Sequence, residues 1–109
     1  MIEHTVTFRL VHPAGSPEES AFLDAARELA VIPGALDFTI KRQTSPKLDH
    51  HFGISMRFAS EEDYAAYNAH PLHTRFLEDH WFPEVADFQE ADFEAMSVFP
   101  DSTRHHFRH

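Results

Sequence analysis

Apolar and polar residues alternate from the start of the chain. Ile2, His4, Val6, Phe8 and Leu10 fall on one side and Glu3, Thr5, Thr7 and Arg9 on the other. That is the two-residue period of a half-buried strand, with a histidine among its apolar positions. Pro13 and Gly15 end it. Ser16, Pro17 and Glu19 then read as an N-cap, a proline at the first helical position and a capping-box glutamate. Phe22, Ala26, Leu29 and Ala30 recur at helical spacing until Pro33-Gly34, a helix of about four turns. The period returns to two at Leu36, Phe38 and Ile40, and again at Phe52, Ile54, Met56 and Phe58. The polar stretch QTSPKLDHH between these strands suits a solvent-facing loop.

Ser60 and Asp63 open a second helix. Pro71 cannot continue it, because its ring clashes with the preceding turn and residue 70 is pushed out of helical geometry. The same proline is well placed to begin a new segment, with Leu72, Phe76 and Leu77 as its apolar stripe. The pattern predicts a kinked or two-piece helix from Glu61 to His80. A last strand follows within FQEADFEAMSVF, and DSTRHHFRH reads as a polar tail.

The order is β-α-β-β-α-β, the ferredoxin-like α+β arrangement: a four-stranded antiparallel sheet with both helices on one face. A single domain over residues 1–100 and a His-rich tail over 101–109 account for the chain. The other sheet face would present Thr5, Thr7, Arg9, Thr39, Lys41, Ser55 and Arg57. A second copy packed sheet to sheet is the usual cover for such a face, so a homodimer is expected.

Charge narrows the function classes. Nine basic against 18 acidic residues give a formal net charge of -9, which repels phosphate backbones and argues against nucleic-acid binding. Ten histidines make the chain far less acidic below their usual pKa of about 6.5. With no cysteine, disulfides, thiolate metal sites and cysteine nucleophiles are excluded. The N-terminus resembles neither a signal peptide nor a membrane span, so a cytoplasmic protein without membrane contact is expected.

The candidate chemistry lies in AYNAHPLHTRF, Ala66 to Phe76. Tyr67 follows Tyr64 by three positions, which puts both rings on one helical face. His73 stands just past the break, near a fresh helix N-terminus that favours an oxyanion and lowers the pKa of a nearby imidazole. His4 projects from the first strand toward the same helices. A neutral imidazole can take a proton from carbon beside a carbonyl while a phenol steadies the enolate. A purely structural role accounts for the same residues: His70 capping the new segment, His73 on a carbonyl, Tyr67 bonded to a strand, and His4 sharing a hydrogen bond with His73.

Metal sets are conceivable at His70 with His73, at His50 with His51, or among His105, His106 and His109. Zinc needs three or four converging ligands, and adjacent strand residues point apart, so no metal or other cofactor is expected.

The chain also resembles the stress-responsive dimeric α/β-barrel (Dabb) family. The likeness rests on IEHTVTFRL, IPGALDFTIKRQ, DHHFGISMRFASEEDYAAYNAHPLHTRF and WFPEVADF, spanning roughly Ile2 to Phe99. Its most specific piece is Y-x-x-H-P-x-H at Tyr67 to His73, backed by His4. The resemblance implies the ferredoxin-like fold and the dimer. One plant cyclase of the family aldol-condenses a polyketide with a tyrosine and a histidine matching Tyr67 and His73, and His4 matches a histidine of the same cavity. These positions belong to the family pattern generally and so do not single out that reaction, and the pocket-lining residues outside the motif do not match, so neither the polyketide nor its length carries over.

Three readings stay open. The first is an enzyme or binder for a small carbonyl compound, with His73, Tyr67 and His4 in its site. The second is a stress-related protein without turnover. The third is a cofactor-free monooxygenase-like barrel using Asn68, Trp81 and His73, although their spacing does not match such enzymes and a lone Trp before Phe82-Pro83 is more often a core plug. An open cavity where His73 and Tyr67 converge favours chemistry; filling by Phe22, Phe52 and Phe76 excludes it.

Overall fold

The computed structural model describes residues 1–96. Ser97, Val98 and Phe99 of the expected last-strand stretch lie outside the described residues, as does the tail with His105, His106 and His109. Four antiparallel strands form one sheet in the order β2-β3-β1-β4, with β1 at Ile2–Leu10, β2 at Leu36–Arg42, β3 at Phe52–Phe58 and β4 at Val85–Glu94. Helix α1 (Pro17–Arg27) connects β1 to β2; α2 (Glu61–Ala69) and α3 (Pro71–Phe76) lie between β3 and β4. This is the expected ferredoxin-like α+β fold. Among the described residues, no helix is long and apolar enough to cross a membrane.

The alternating strand residues make the core. Val6, Phe8 and Leu10 from β1 and Phe52, Ile54, Met56 and Phe58 from β3 are buried against Phe22, Ala26 and Leu29 from α1 and its extension. Phe8 meets Phe22 at 5.6 Å and Trp81 at 5.1 Å between ring centroids, and Phe22 meets Phe76 at 5.5 Å. Each such side chain removed from water contributes about 1.5–3 kcal/mol before entropy is counted.

Local details depart from simple periodicity. Ser16 Oγ accepts the Glu19 N–H as expected, but the Glu19 carboxylate accepts from the Gly15 amide. The Ser16 N–H that a capping box would use already donates to the Pro13 carbonyl. After Arg27 the helix tightens into a 3-10 turn, Glu28–Val31, whose three-residue repeat buries Leu29 and Ile32 and leaves Ala30 exposed. In β2, Asp37 has φ 53° and the register shifts between Leu36 and Thr39, so Leu36 is turned out to solvent while Phe38 and Ile40 pack on the core.

The second helical region breaks at His70 (φ -65°, ψ 138°), as Pro71 demands. Beyond Phe76 it runs past His80 through a π-type segment, Leu77–Trp81, and a last turn, Phe82–Glu84, whose Pro83 needs no hydrogen-bonded N–H near a helix start. Consequently β4 starts at Val85, three residues ahead of the expected stretch.

On the uncovered face, polar side chains satisfy one another. The Thr5 hydroxyl donates to the Ala91 carbonyl at 2.6 Å, and the Thr39 and Ser55 hydroxyls are 2.7 Å apart. His50, only 4% exposed, bonds Thr7 Oγ1 through Nδ1 at 2.8 Å and Asp87 through Nε2 at 2.7 Å. The Gln43 side chain donates to the carbonyls of Ser45, Leu48 and His50, so the polar loop is an ordered turn.

Candidate functional site

Between the helix-covered sheet face and the broken helix lies an open cavity of about 150 Å³. The sheet supplies its floor through His4, Val6, Ile54 and Met56, and the helices its roof through Tyr64, Tyr67 and His73. The alternation of β1 and β3 and the helix break thus aim side chains from distant parts of the chain at one space. His4, Tyr67 and His73 are brought together there.

Ser60 starts α2 by accepting the Asp63 N–H at 3.1 Å. This sets the helix phase that places Tyr64 and Tyr67 side by side: Phe58 stacks on Tyr64 at 4.7 Å and meets Tyr67 at 5.2 Å. Tyr67 is 2% exposed, and burial raises its pKa above the usual phenol range, so it is a donor at neutral pH. Among the described residues its hydroxyl has no hydrogen-bond partner, and the sole sealed-off side-chain polar atom without a hydrogen bond is Arg9 Nε, which has Asp49 Oδ2 at 3.4 Å. The Tyr67 hydroxyl therefore opens on the cavity it lines, rather than bonding a strand.

At the break, His70 Nδ1 accepts the Leu72 N–H at 3.1 Å, the cap expected of the residue before Pro71. His73 stacks at a tilt on Tyr67, with ring centroids 4.7 Å apart. Its Nδ1 lies 3.2 Å from the Asn68 carbonyl, which only accepts, so Nδ1 carries the proton and Nε2 keeps a lone pair. Its pKa is lowered chiefly by burial, with the His4 ring pushing the same way and the Asn68 carbonyl and Glu90 opposing. Burial, rather than the helix start weighed from sequence, is the leading cause.

His4 does not bond His73. Its Nδ1 is 2.7 Å from Asp92 Oδ1 and 2.8 Å from the Tyr64 oxygen, and the Tyr64 hydroxyl donates to both Asp92 oxygens at 3.1 and 3.0 Å. Because an ionised carboxylate only accepts, Nδ1 of His4 carries a proton. Burial first, then the bond to Asp92, raises the Tyr64 pKa above the phenol range and keeps its proton in place. The cavity thus holds two imidazoles that each give an Nδ1–H to a protein acceptor, with an unpartnered phenol among them.

Tyr64 and Asp92 were not singled out from sequence as site residues. Tyr64 carried a signal, its three-residue spacing from Tyr67. Asp92 carried none until pairing set it opposite His4 across the β1–β4 ladder.

Phe22 and Phe52 belong to the aromatic core and do not enter the cavity; Phe76 forms part of one wall. Trp81 is buried among Phe8, Phe22, Phe76 and Phe88 and touches the cavity at its edge. His50 is buried and the adjacent His51 exposed, so the pair points apart. Among the described residues, no three His, Asp or Glu side chains converge as a metal-binding set.

A family model described as "Stress responsive A/B Barrel Domain" (Dabb) matches residues 2–95. This chain belongs to the Dabb family. A stress-response A/B barrel domain-containing protein of Arabidopsis thaliana is 28% identical over 101 residues, covering 90% of this Dabb chain and 38% of that protein. The chain therefore spans well under half the length of that relative.

Among solved structures, a Dabb family protein with a ferredoxin-like fold from Mesorhizobium loti is 47% identical, covers 88% of this chain and 97% of its own, and has a TM-score of 0.85. A dimeric ferredoxin-like protein of unknown function from Thermobifida fusca is 23% identical, with coverage of 86% and 90% and a TM-score of 0.70. A hydroxynitrile lyase from Passiflora edulis is 14% identical, with coverage of 91% and 96% and a TM-score of 0.75. The last two share the fold of this Dabb chain.

Proposed function

We propose that this Dabb chain performs cofactor-free acid–base chemistry on a small carbonyl compound. His73 Nε2 removes a proton from the carbon beside the carbonyl, and the electron pair moves to the carbonyl oxygen. The Tyr67 O–H steadies that enolate. His4, held by Asp92 and Tyr64, is the second base and returns or relays the proton. The enolate either regains a proton or attacks another carbonyl in an aldol step. The observation that carries this reading is the unpartnered Tyr67 hydroxyl on a cavity shared with His73, their rings 4.7 Å apart. That one neighbour of this fold is a lyase supports a small-molecule role for the pocket.

The test is exchange of α-hydrogens of small ketones and aldehydes for deuterium in D2O, followed by NMR. Wild type should accelerate exchange over buffer, and His73→Ala and Tyr67→Phe should each lose roughly 10²-fold. Equal rates for all three proteins would sink the proposal.

A second reading, a stress-related protein without turnover, draws on the His73–Asn68 bond, which ties α2 to α3 across the break. In both readings the uncovered sheet face pairs with that of a second copy, supported by the dimeric Thermobifida fusca neighbour.

A further inference from the structure

We propose that the cavity selects an uncharged ligand of about ring size, and that Glu90 turns anionic ligands away. The inference rests on the acid–base reading only in taking the same cavity as the ligand site.

Size follows from volume and walls. About 150 Å³, bounded on its apolar sides by Val6, Leu29, Ile54, Met56, Phe76 and Leu77, is the size of cavity that accepts benzene. Charge follows from what lines the space. Among the described residues no Lys or Arg does, so none of them supplies the paired cationic donors that hold a carboxylate or phosphate. The polar donors are the Tyr67 phenol, the Asn68 amide, a Tyr64 phenol already given to Asp92, and imidazoles whose Nδ1–H groups already face protein acceptors.

Glu90 supplies the opposite sign. It sits on β4 across from Val6, lines the cavity and, among the described residues, forms no ion pair. Its charge reaches both His73 and Tyr64. Asp92 adds a second carboxylate behind His4. Glu90 is solvent-exposed where it lines the cavity, so an anion entering meets a like charge screened by water, whereas a neutral carbonyl compound meets a hydroxyl donor and apolar walls. A cation would be drawn by Glu90 but would lose its hydration to those same walls.

Benzoate, benzamide and benzamidinium have nearly the same shape and differ in charge. Their binding is measured by ligand-observed NMR titration at pH 7.5 and fixed ionic strength, on wild type and Glu90→Gln. Benzamide should bind, and benzoate at least roughly tenfold more weakly. Glu90→Gln should shrink that gap several-fold, read as the benzoate-to-benzamide ratio within each protein, since the substitution removes charge and keeps size.

Benzoate binding as well as benzamide, or a gap unchanged in Glu90→Gln, overturns the filter. Benzamidinium binding more than about tenfold tighter than benzamide overturns the uncharged assignment. Binding of none of the three overturns the ring-sized ligand. Deuterium exchange reads His73 and Tyr67 and is blind to this ranking. Loss of exchange with the ranking intact removes the acid–base reading alone, and exchange without the ranking removes the filter alone.

Discussion

Replacing Tyr67 by Phe separates a working hydroxyl from a structural one. The substitution deletes one oxygen and keeps the ring that packs on Phe58 and His73. A tyrosine whose hydroxyl bonded a strand would lose about 0.5–1.5 kcal/mol. Here the hydroxyl has no protein partner among the described residues, and the residue is 2% exposed. No protein hydrogen bond is lost, and a poorly solvated polar group is removed, so stability should stay level or rise by up to about 1 kcal/mol.

Tyr64→Phe provides the contrast, because it removes the donor to Asp92 and a contact with His4. Bonds to charged groups contribute about 1.5–3 kcal/mol. The 44% exposure of the Asp92 side chain reduces this to about 1 kcal/mol. The assay is urea unfolding at one fixed protomer concentration, since dimerisation would couple stability to concentration. Calorimetry should show Tyr64→Phe melting about 4–8 °C lower, with Tyr67→Phe unchanged or higher. A loss of about 1 kcal/mol or more in Tyr67→Phe would refute the free hydroxyl and, with it, the role given to Tyr67.

Other consequences can be measured separately. The folded-state pKa of His73 is lowered, so the unfolded chain binds more protons below the ordinary value of about 6.5, and stability falls as pH drops through that value. NMR titration should find the His73 midpoint below the ordinary value, and His73→Asn should flatten the acid-side decline; a midpoint above it would reverse the sign. His50→Ala should cost about 2–3 kcal/mol in urea unfolding, because it empties a buried site and unpairs Thr7 and Asp87. Ser60→Ala should cost about 1 kcal/mol through the lost cap of α2, with no effect beyond about 0.3 kcal/mol refuting the cap's importance. Sedimentation equilibrium should find a dimer that Ser55→Arg shifts toward monomer; a monomeric wild type at micromolar concentration removes the sheet-to-sheet pairing.

Much of this molecule was determined by sequence alone. The period-two runs Val6-Phe8-Leu10 and Phe52-Ile54-Met56-Phe58 can bury one face only as strands. Pro71 cannot sit inside a continuous helix, so the break at His70 and its cap were both legible. These are local effects, set by neighbouring residues. What sequence could not state was pairing and phase. The bulge at Asp37 and the early start of β4 depend on which backbone groups meet across the sheet.

The same holds at the site. His4, Tyr67 and His73 were named from the chain, yet the partner of His4 proved to be Asp92, 88 positions away, and the Tyr67 hydroxyl proved to have none among the described residues. A hydrogen bond depends on position in space, and only the antiparallel pairing of β1 with β4 brings that carboxylate opposite that imidazole.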